Sequence, residues 1–112
     1  MNVSYKEAIE QGVDSQVDKP DYQTVIIGAG IAGMASGIKL INENMTDFII
    51  LERAGSVGGT WRDNRYPGIA VDITSFTYSF SFEQNPNWSR VFAPGVDLHN
   101  YTKRIAAKYG LY

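Results

Sequence analysis

The stretch VIIGAGIAG, Val25 to Gly33, decides the fold. It sets Gly28, Gly30 and Gly33 in the spacing G-x-G-x-x-G, directly after a β-branched run. Tyr22 to Ile27 reads as a buried strand, because Val25-Ile26-Ile27 is β-branched and uncharged. Beyond the glycines, Ile31, Met34, Ala35, Ile38 and Ile41 recur at helical spacing, while Lys39, Asn42 and Glu43 turn outward. A second apolar run, Asp47 to Glu52, reads as another strand. Together these make one βαβ crossover from Tyr22 to Glu52, for which the right-handed form is close to obligatory.

Each residue of this unit has a physical task. Gly28 lets the chain turn sharply at the strand end. Gly30 has no Cβ, so a pyrophosphate can approach the backbone. Gly33 lets the helix pack close to the strand. The free N–H groups and positive dipole end of the helix then face the phosphates. Glu52 follows Gly30 by 22 residues, near the offset of roughly 20 expected for an acid that binds a ribose hydroxyl. A carboxylate there accepts from a ribose diol and repels a 2′-phosphate, so the site should prefer FAD or NAD over NADP. Gly37 weakens the helix slightly and marks close packing.

Composition sets the outer limits. The chain has 112 residues, a normal size for one small domain, and is 44% hydrophobic. Ten basic and twelve acidic side chains are intermixed, for a net charge of −2. No basic stripe points to nucleic acid. The absence of cysteine excludes disulfides, thiolate metal sites and cysteine nucleophiles, and no metal site is expected. Charged residues from Lys6 to Lys19 leave no signal-peptide core, and the uncharged run Thr24 to Ile38 is too short to span a bilayer. A soluble, cytoplasmic protein is the expectation.

Residues 1–20 read as a polar lead-in, with a helical turn or two around Val3, Ala8 and Ile9. Arg53 to Gly68 is a long irregular stretch rich in Gly and Pro, of the kind that is usually functional inside a compact domain. Phe76, Tyr78, Phe80 and Phe82 alternate with small polar residues, which predicts a strand with an aromatic face used mainly for packing. Leu98, Tyr101, Ile105 and Tyr109 predict a helix over Val96–Tyr109, with Lys103, Arg104 and Lys108 near its carboxyl end and Gly110 as its stop. The expected fold class is therefore α/β: a partial Rossmann-like domain built of a βαβ unit, a long Gly/Pro loop, an aromatic strand and a C-terminal helix. Its sheet is incomplete, since a parallel pair is too small to stand alone.

The loop carries a second constellation. Gly58-Gly59 after the ribose acid resembles the extended FAD fingerprint. Gly59-Thr60-Trp61, Asn64-Arg65-Tyr66-Pro67-Gly68, Asp72, Ser75, Tyr78-Ser79-Phe80 and Val91-Phe92-Ala93-Pro94-Gly95 together resemble the flavin-dependent Baeyer–Villiger monooxygenases, of the class B flavoprotein monooxygenases. The resemblance runs from about Tyr22 to Tyr112. It implies that Gly28, Gly30, Gly33 and Glu52 hold the ADP half of FAD, with Ile31, Ala32 and Arg53 as further cofactor-binding positions. Gly59, Thr60, Trp61 and Asp63 would run along the ribityl and flavin part. Tyr78 matches a flavin-proximal tyrosine. Ala70, Val71 and Asp72 lie where the nicotinamide end of NADPH would approach. Asp72 matches an aspartate that pairs with an active-site arginine supplied from outside these residues, where it would hold that arginine and tune its charge.

In that family NADPH reduces the flavin, which then uses O₂ to oxidise a small carbonyl substrate, a ketone or aldehyde; the protein orients the cofactor and excludes water. On residue type alone Asp72 is a turn or cap aspartate, and the surrounding motif reverses that reading. Arg62 and Arg65 fit either a phosphate contact or a solvated loop. Trp61 fits either contact with the flavin or a cover for the glycine turn. Trp88 reads as packing and His99 as a solvated helix residue. Family members run to several hundred residues. The expectation is an N-terminal part of an FAD/NAD(P)-binding domain over 21–112, truncated before the NADPH domain, with little or no turnover alone. An N- or S-oxygenating flavin monooxygenase and a non-catalytic dinucleotide-binding fragment or gene remnant are the alternatives.

Overall fold

The computed structural model describes residues 20–112, so the helical turn expected near Val3–Ile9 lies outside the described residues. Strands β1 (Thr24–Ile27) and β2 (Phe48–Leu51) pair in parallel, in register from Thr24 opposite Phe48 to Ile27 opposite Leu51. Helix α1 (Ile31–Asn42) makes the crossover between them. It stops where Asn44 turns to a positive φ of 58°, and the Asn44 and Met45 N–H groups close on the Ile41 and Leu40 carbonyls. A short helix α2 (Thr60–Asp63) interrupts the stretch expected to be irregular. Helix α3 (Gly95–Tyr109) ends on the left-handed Gly110.

The main core lies between α1 and α3. Met34 and Ile38 from α1 meet Tyr101, Ile105 and Ala106 from α3, with Ala29 and Val57 closing the end next to the glycine turn. Fully burying side chains of this size contributes ~1.5–3 kcal/mol each, which is what holds a small layer together. Gly37 sits where a Cβ would come within 2.9 Å of the Ile50 Cδ1 atom and 3.3 Å of a Phe48 ring carbon, so its lack of a side chain lets α1 lie close on the β2 side chains. A second cluster, Val71, Ala93 and Leu98, anchors the loop layer on α3, and Trp88 packs against both clusters as expected.

Two expectations change. β1 is not buried on both faces: Val25 is 51% and Ile27 80% exposed, because among the described residues the helices cover only one side of the sheet. The aromatic segment Phe76–Phe82 is not a strand. It folds as consecutive turns, with one isolated bridge between Phe80 and Glu83. The alternation is real, but its rings serve one another: Phe80 stacks on Phe82 at 4.9 Å, and Phe82 meets Tyr109 edge-on. The Phe80 N–H donates to the Tyr101 hydroxyl at 2.9 Å, and that hydroxyl donates to the Glu83 carbonyl at 2.8 Å. A single side-chain oxygen thus replaces the partner strand.

Candidate functional site

The parallel register brings the end of β1 against the end of β2. The Gly28 N–H donates to the Leu51 carbonyl at 2.7 Å, and Gly28 takes φ 92°, turning the chain toward α1. The next N–H, from Ala29, donates to Glu52 Oε2 at 2.8 Å, and Ala54 N–H donates to Oε1 at 2.9 Å. These two N–H groups, Ala29 first, hold the Glu52 carboxyl below the usual carboxylate range, with the Arg62 charge adding and burial opposing. Glu52 is thus fixed as an anion in one orientation.

Gly33 meets its expected steric demand. A Cβ there would lie 1.9 Å from the Gly28 carbonyl oxygen, so α1 can approach β1 this closely only without a side chain. At Gly30 a Cβ would find only the Gly59 Cα within 4 Å, at 3.8 Å, leaving its surroundings open. No side chain caps α1, whose N-cap is Gly30 itself. The first N–H groups of the helix therefore remain available.

The loop after β2 folds back onto this turn. The Gly58 N–H donates to the Ala29 carbonyl at 2.9 Å. Gly59, at φ 50°, packs so closely that a Cβ on it would lie 3.1 Å from the Gly30 Cα. Gly28, Gly30, Glu52, Arg53, Gly59 and Asp63 come together around one cleft of about 570 Å³, with Arg62 in its wall. The space between the helix start and Glu52 is open.

Other sequence-assigned residues fall elsewhere. Ile31, Ala32 and Tyr78 line a neighbouring cavity of about 410 Å³. Trp61 and Ala70 line a third, of about 570 Å³, together with Arg65, Arg90 and His99. Trp61 donates its indole N–H to the Tyr78 hydroxyl at 3.1 Å and meets that ring edge-on at 5.5 Å. Thr60 opens α2 at the surface. Val71 is buried, its N–H donating to the Ala93 carbonyl at 3.0 Å. Asp72 is exposed beside it, in a bend and not at a helix cap. Asp63 stands on the Glu52 side and not beside Trp61, because positions two apart on a helix point roughly 200° from each other.

Two residues behave differently from the sequence reading. Arg62 is neither a free phosphate ligand nor solvated: it is only 8% exposed. Its Nε donates to Asp63 Oδ1 at 2.8 Å, and its Nη1 donates to the Ser56 carbonyl and lies 3.3 Å from Glu52 Oε1. Nothing in the sequence marks it, since a loop arginine carries no periodicity. His99 is not solvated either. Its Nε2 is buried without a hydrogen-bond partner among the described residues, and its Cδ2 lies within 2.8 Å of where a Gly58 Cβ would be. Burial pushes its pKa down, the Lys103, Arg65 and Arg62 charges add to that, and the Val57 backbone opposes it. Among the described residues, no group of acids, histidines or cysteines could hold a metal ion, and no helix is long and apolar enough to cross a membrane.

This geometry has known counterparts. Residues 26–94 match the family described as NAD(P)-binding Rossmann-like domain. A Baeyer–Villiger monooxygenase of Streptomyces coelicolor is 48% identical over 89 residues, which cover 80% of this chain and 17% of that protein. One from Pseudomonas aeruginosa is 46% identical over 89 residues, with the same shares. Among solved structures, an oxidized steroid monooxygenase bound to NADP superposes with a TM-score of 0.75 at 35% identity, over 80% of this chain and 18% of that one. A closed cyclohexanone monooxygenase gives 0.73 at 32% identity, over 79% of this chain and 17% of that one. The chain therefore spans about 17% of the length of the curated relatives it matches. It belongs to the NAD(P)-binding Rossmann-like domain family and, within it, groups with the Baeyer–Villiger monooxygenases.

Proposed function

We propose that this chain is the FAD-binding part of an NADPH-dependent flavoprotein monooxygenase that inserts one oxygen atom of O₂ into a ketone or aldehyde. The observation that carries this reading is the single open cleft shared by Gly28, Gly30, Glu52 and Gly59. FAD fits the residues present. The uncapped start of α1 offers N–H donors to a diphosphate, the Gly30 backbone has room for its approach, and Glu52 is an ionised acceptor held in one orientation on the same cleft. When bound, FAD supplies the hydride acceptance and oxygen activation that side chains lack.

The chain's own residues bind and orient. Gly28, Gly30 and Gly33 shape the phosphate turn, with Ile31 and Ala32 opening the helix above it. Gly59, Thr60 and Trp61 continue the binding surface toward Tyr78, whose hydroxyl is fixed by the Trp61 indole. Ala70, Val71 and Asp72 form the NADPH-facing edge. Asp72 has no ion pair among the described residues, in keeping with an arginine partner supplied from elsewhere. These 112 residues alone are proposed to bind FAD without completing turnover.

The test uses Gly30→Ala in the purified chain. A Cβ at this position meets nothing closer than 3.8 Å, and the Gly30 φ of −76° suits alanine, so the fold should be kept. The added methyl occupies the space a phosphate needs. The expected result is flavin absorbance retained by the wild-type chain and at least tenfold weaker FAD binding by the variant, at an unchanged melting temperature. A wild-type chain that takes up no FAD would defeat the proposal. Carbonyl against thioether oxidation by the full-length enzyme decides between this reaction and N- or S-oxygenation.

A further inference from the structure

Within the cleft, the capacity of Glu52 to accept hydrogen bonds is already largely used. Its Oε1 accepts from Ala54 N–H at 2.9 Å and faces Arg62 Nη1 at 3.3 Å. Its Oε2 accepts from Ala29 N–H at 2.8 Å. A carboxylate oxygen takes two hydrogen bonds in its plane, so one place remains, on Oε2. A ribose diol brings two O–H donors. The second needs another acceptor.

Of the remaining side chains lining the cleft, only Asp63 carries one. Its Oδ1 is engaged by Arg62 Nε at 2.8 Å, and its carboxylate is half exposed, at 49%. Arg62 therefore binds both acids with one buried guanidinium, which fixes their separation and balances their charge. Two carboxylates facing one ligand would otherwise repel each other. With Arg62 between them, both stay ionised, and they present the remaining acceptor place on Glu52 Oε2 and the unengaged Oδ2 of Asp63.

We propose that the adenosine ribose is held by two acids, Glu52 taking one hydroxyl and Asp63 the other, with Arg62 as the positioning residue that sets their spacing. This rests on the reading of the cleft as the adenine-nucleotide site. It gives Asp63 a place at the ribose and not along the flavin. Two acids also exclude a 2′-phosphate more strongly than one, so Asp63 is a specificity residue against phosphorylated ribose.

The test is a cycle that crosses Asp63→Ala and Asp63→Asn with ADP, 2′-deoxy-ADP and 3′-deoxy-ADP, read by calorimetry on the full chain, alongside FAD. Asp63 is exposed, and Asp63→Asn keeps an acceptor for Arg62 Nε, so at least that variant retains the fold, checked by thermal melting. In the wild-type chain each deoxy sugar should bind about tenfold more weakly than ADP, the scale of a hydrogen bond to a charged group. In Asp63→Ala one of the two deoxy penalties should vanish while the other persists, and Asp63→Asn should fall between. A purely structural Asp63 would lower affinity for all three nucleotides equally and leave both penalties in place, which overturns the proposal. A wild-type chain that binds FAD but shows only one deoxy penalty also overturns it, yet leaves the nucleotide site standing. A chain that binds neither FAD nor ADP removes the site and this inference with it.

Discussion

The glycine turn and the aromatic segment solve the same problem by opposite means. Each must hold a non-repetitive stretch of backbone in place. At the turn, backbone meets backbone: Gly33 against the Gly28 carbonyl, Gly59 against Gly30, and the Gly58 N–H on the Ala29 carbonyl. At Phe76–Phe82 the backbone is held by a side chain, the Tyr101 hydroxyl, which accepts from Phe80 and donates to Glu83. Contacts that need the absence of a side chain leave a glycine in the sequence. Contacts made by one distant hydroxyl leave nothing local to read.

The largest effect should come from breaking the first region at its tightest point. Gly33→Ala places a Cβ 1.9 Å from an immobile carbonyl oxygen, so α1 must separate from β1. The expected cost is about 3–5 kcal/mol, at the upper end for overpacking because backbone opposes backbone. Urea denaturation should show loss of a cooperative transition. Gly30→Ala, three residues earlier, should leave that transition intact, since its Cβ meets only the Gly59 Cα at an ordinary contact distance of 3.8 Å.

The second region should break more gently. Tyr101→Phe keeps the ring that packs on Phe80 and Trp88 but removes both hydroxyl hydrogen bonds. The expected loss is about 2 kcal/mol. Hydrogen exchange should quicken at Phe80 and Glu83, while the Gly28 and Ala29 amides stay protected. Equal loss of protection in both regions would show that they unfold as one unit and erase the contrast between them.

That contrast also explains what was legible in the sequence. The βαβ unit could be read because its constraints are local and periodic: the glycine spacing, the apolar helix face and the acid after β2 all lie within one crossover. The aromatic segment could not, because period two reports which side a ring points to and not what binds the backbone. Arg62 and His99 were invisible for a related reason. Their burial depends on α2 folding against the glycine turn and α3, contacts that no spacing rule expresses. The exposure of Val25 and Ile27 was hidden as well, since apolar content gives no sign of how many layers cover a strand.

Acid should loosen the turn region in two stages of moderate size. His99 has its folded pKa below the ordinary value of 6.5, so the unfolded chain binds its proton more readily. Its contribution to stability is complete above about pH 6.5 and is lost as pH falls through the lower, folded value. Glu52 is likewise depressed, from 4.5, so its contribution is complete above that pH and disappears only in stronger acid. Urea midpoints against pH should show both steps, and His99→Gln should remove only the upper one. Glu83, depressed chiefly by Lys108, adds to the lower step from the aromatic side, and Lys108→Met should reduce that part alone.

The smallest expected effect tests the turn conformation most directly. In a strand, Phe76 and Phe80 would lie on the same face and bury alike. In the turns found here they differ: Phe76 is 67% exposed, whereas Phe80 packs against the core between α1 and α3. Phe76→Ser should therefore change stability by no more than ~0.5 kcal/mol, as an exposed substitution does. Phe80→Ser should cost several times more, because it strips a ring from Tyr101 and Phe82. Thermal melts of the two variants separate the alternatives without a structure: matched losses require an aromatic strand face, and a near-silent Phe76 requires the chain to turn between the two rings.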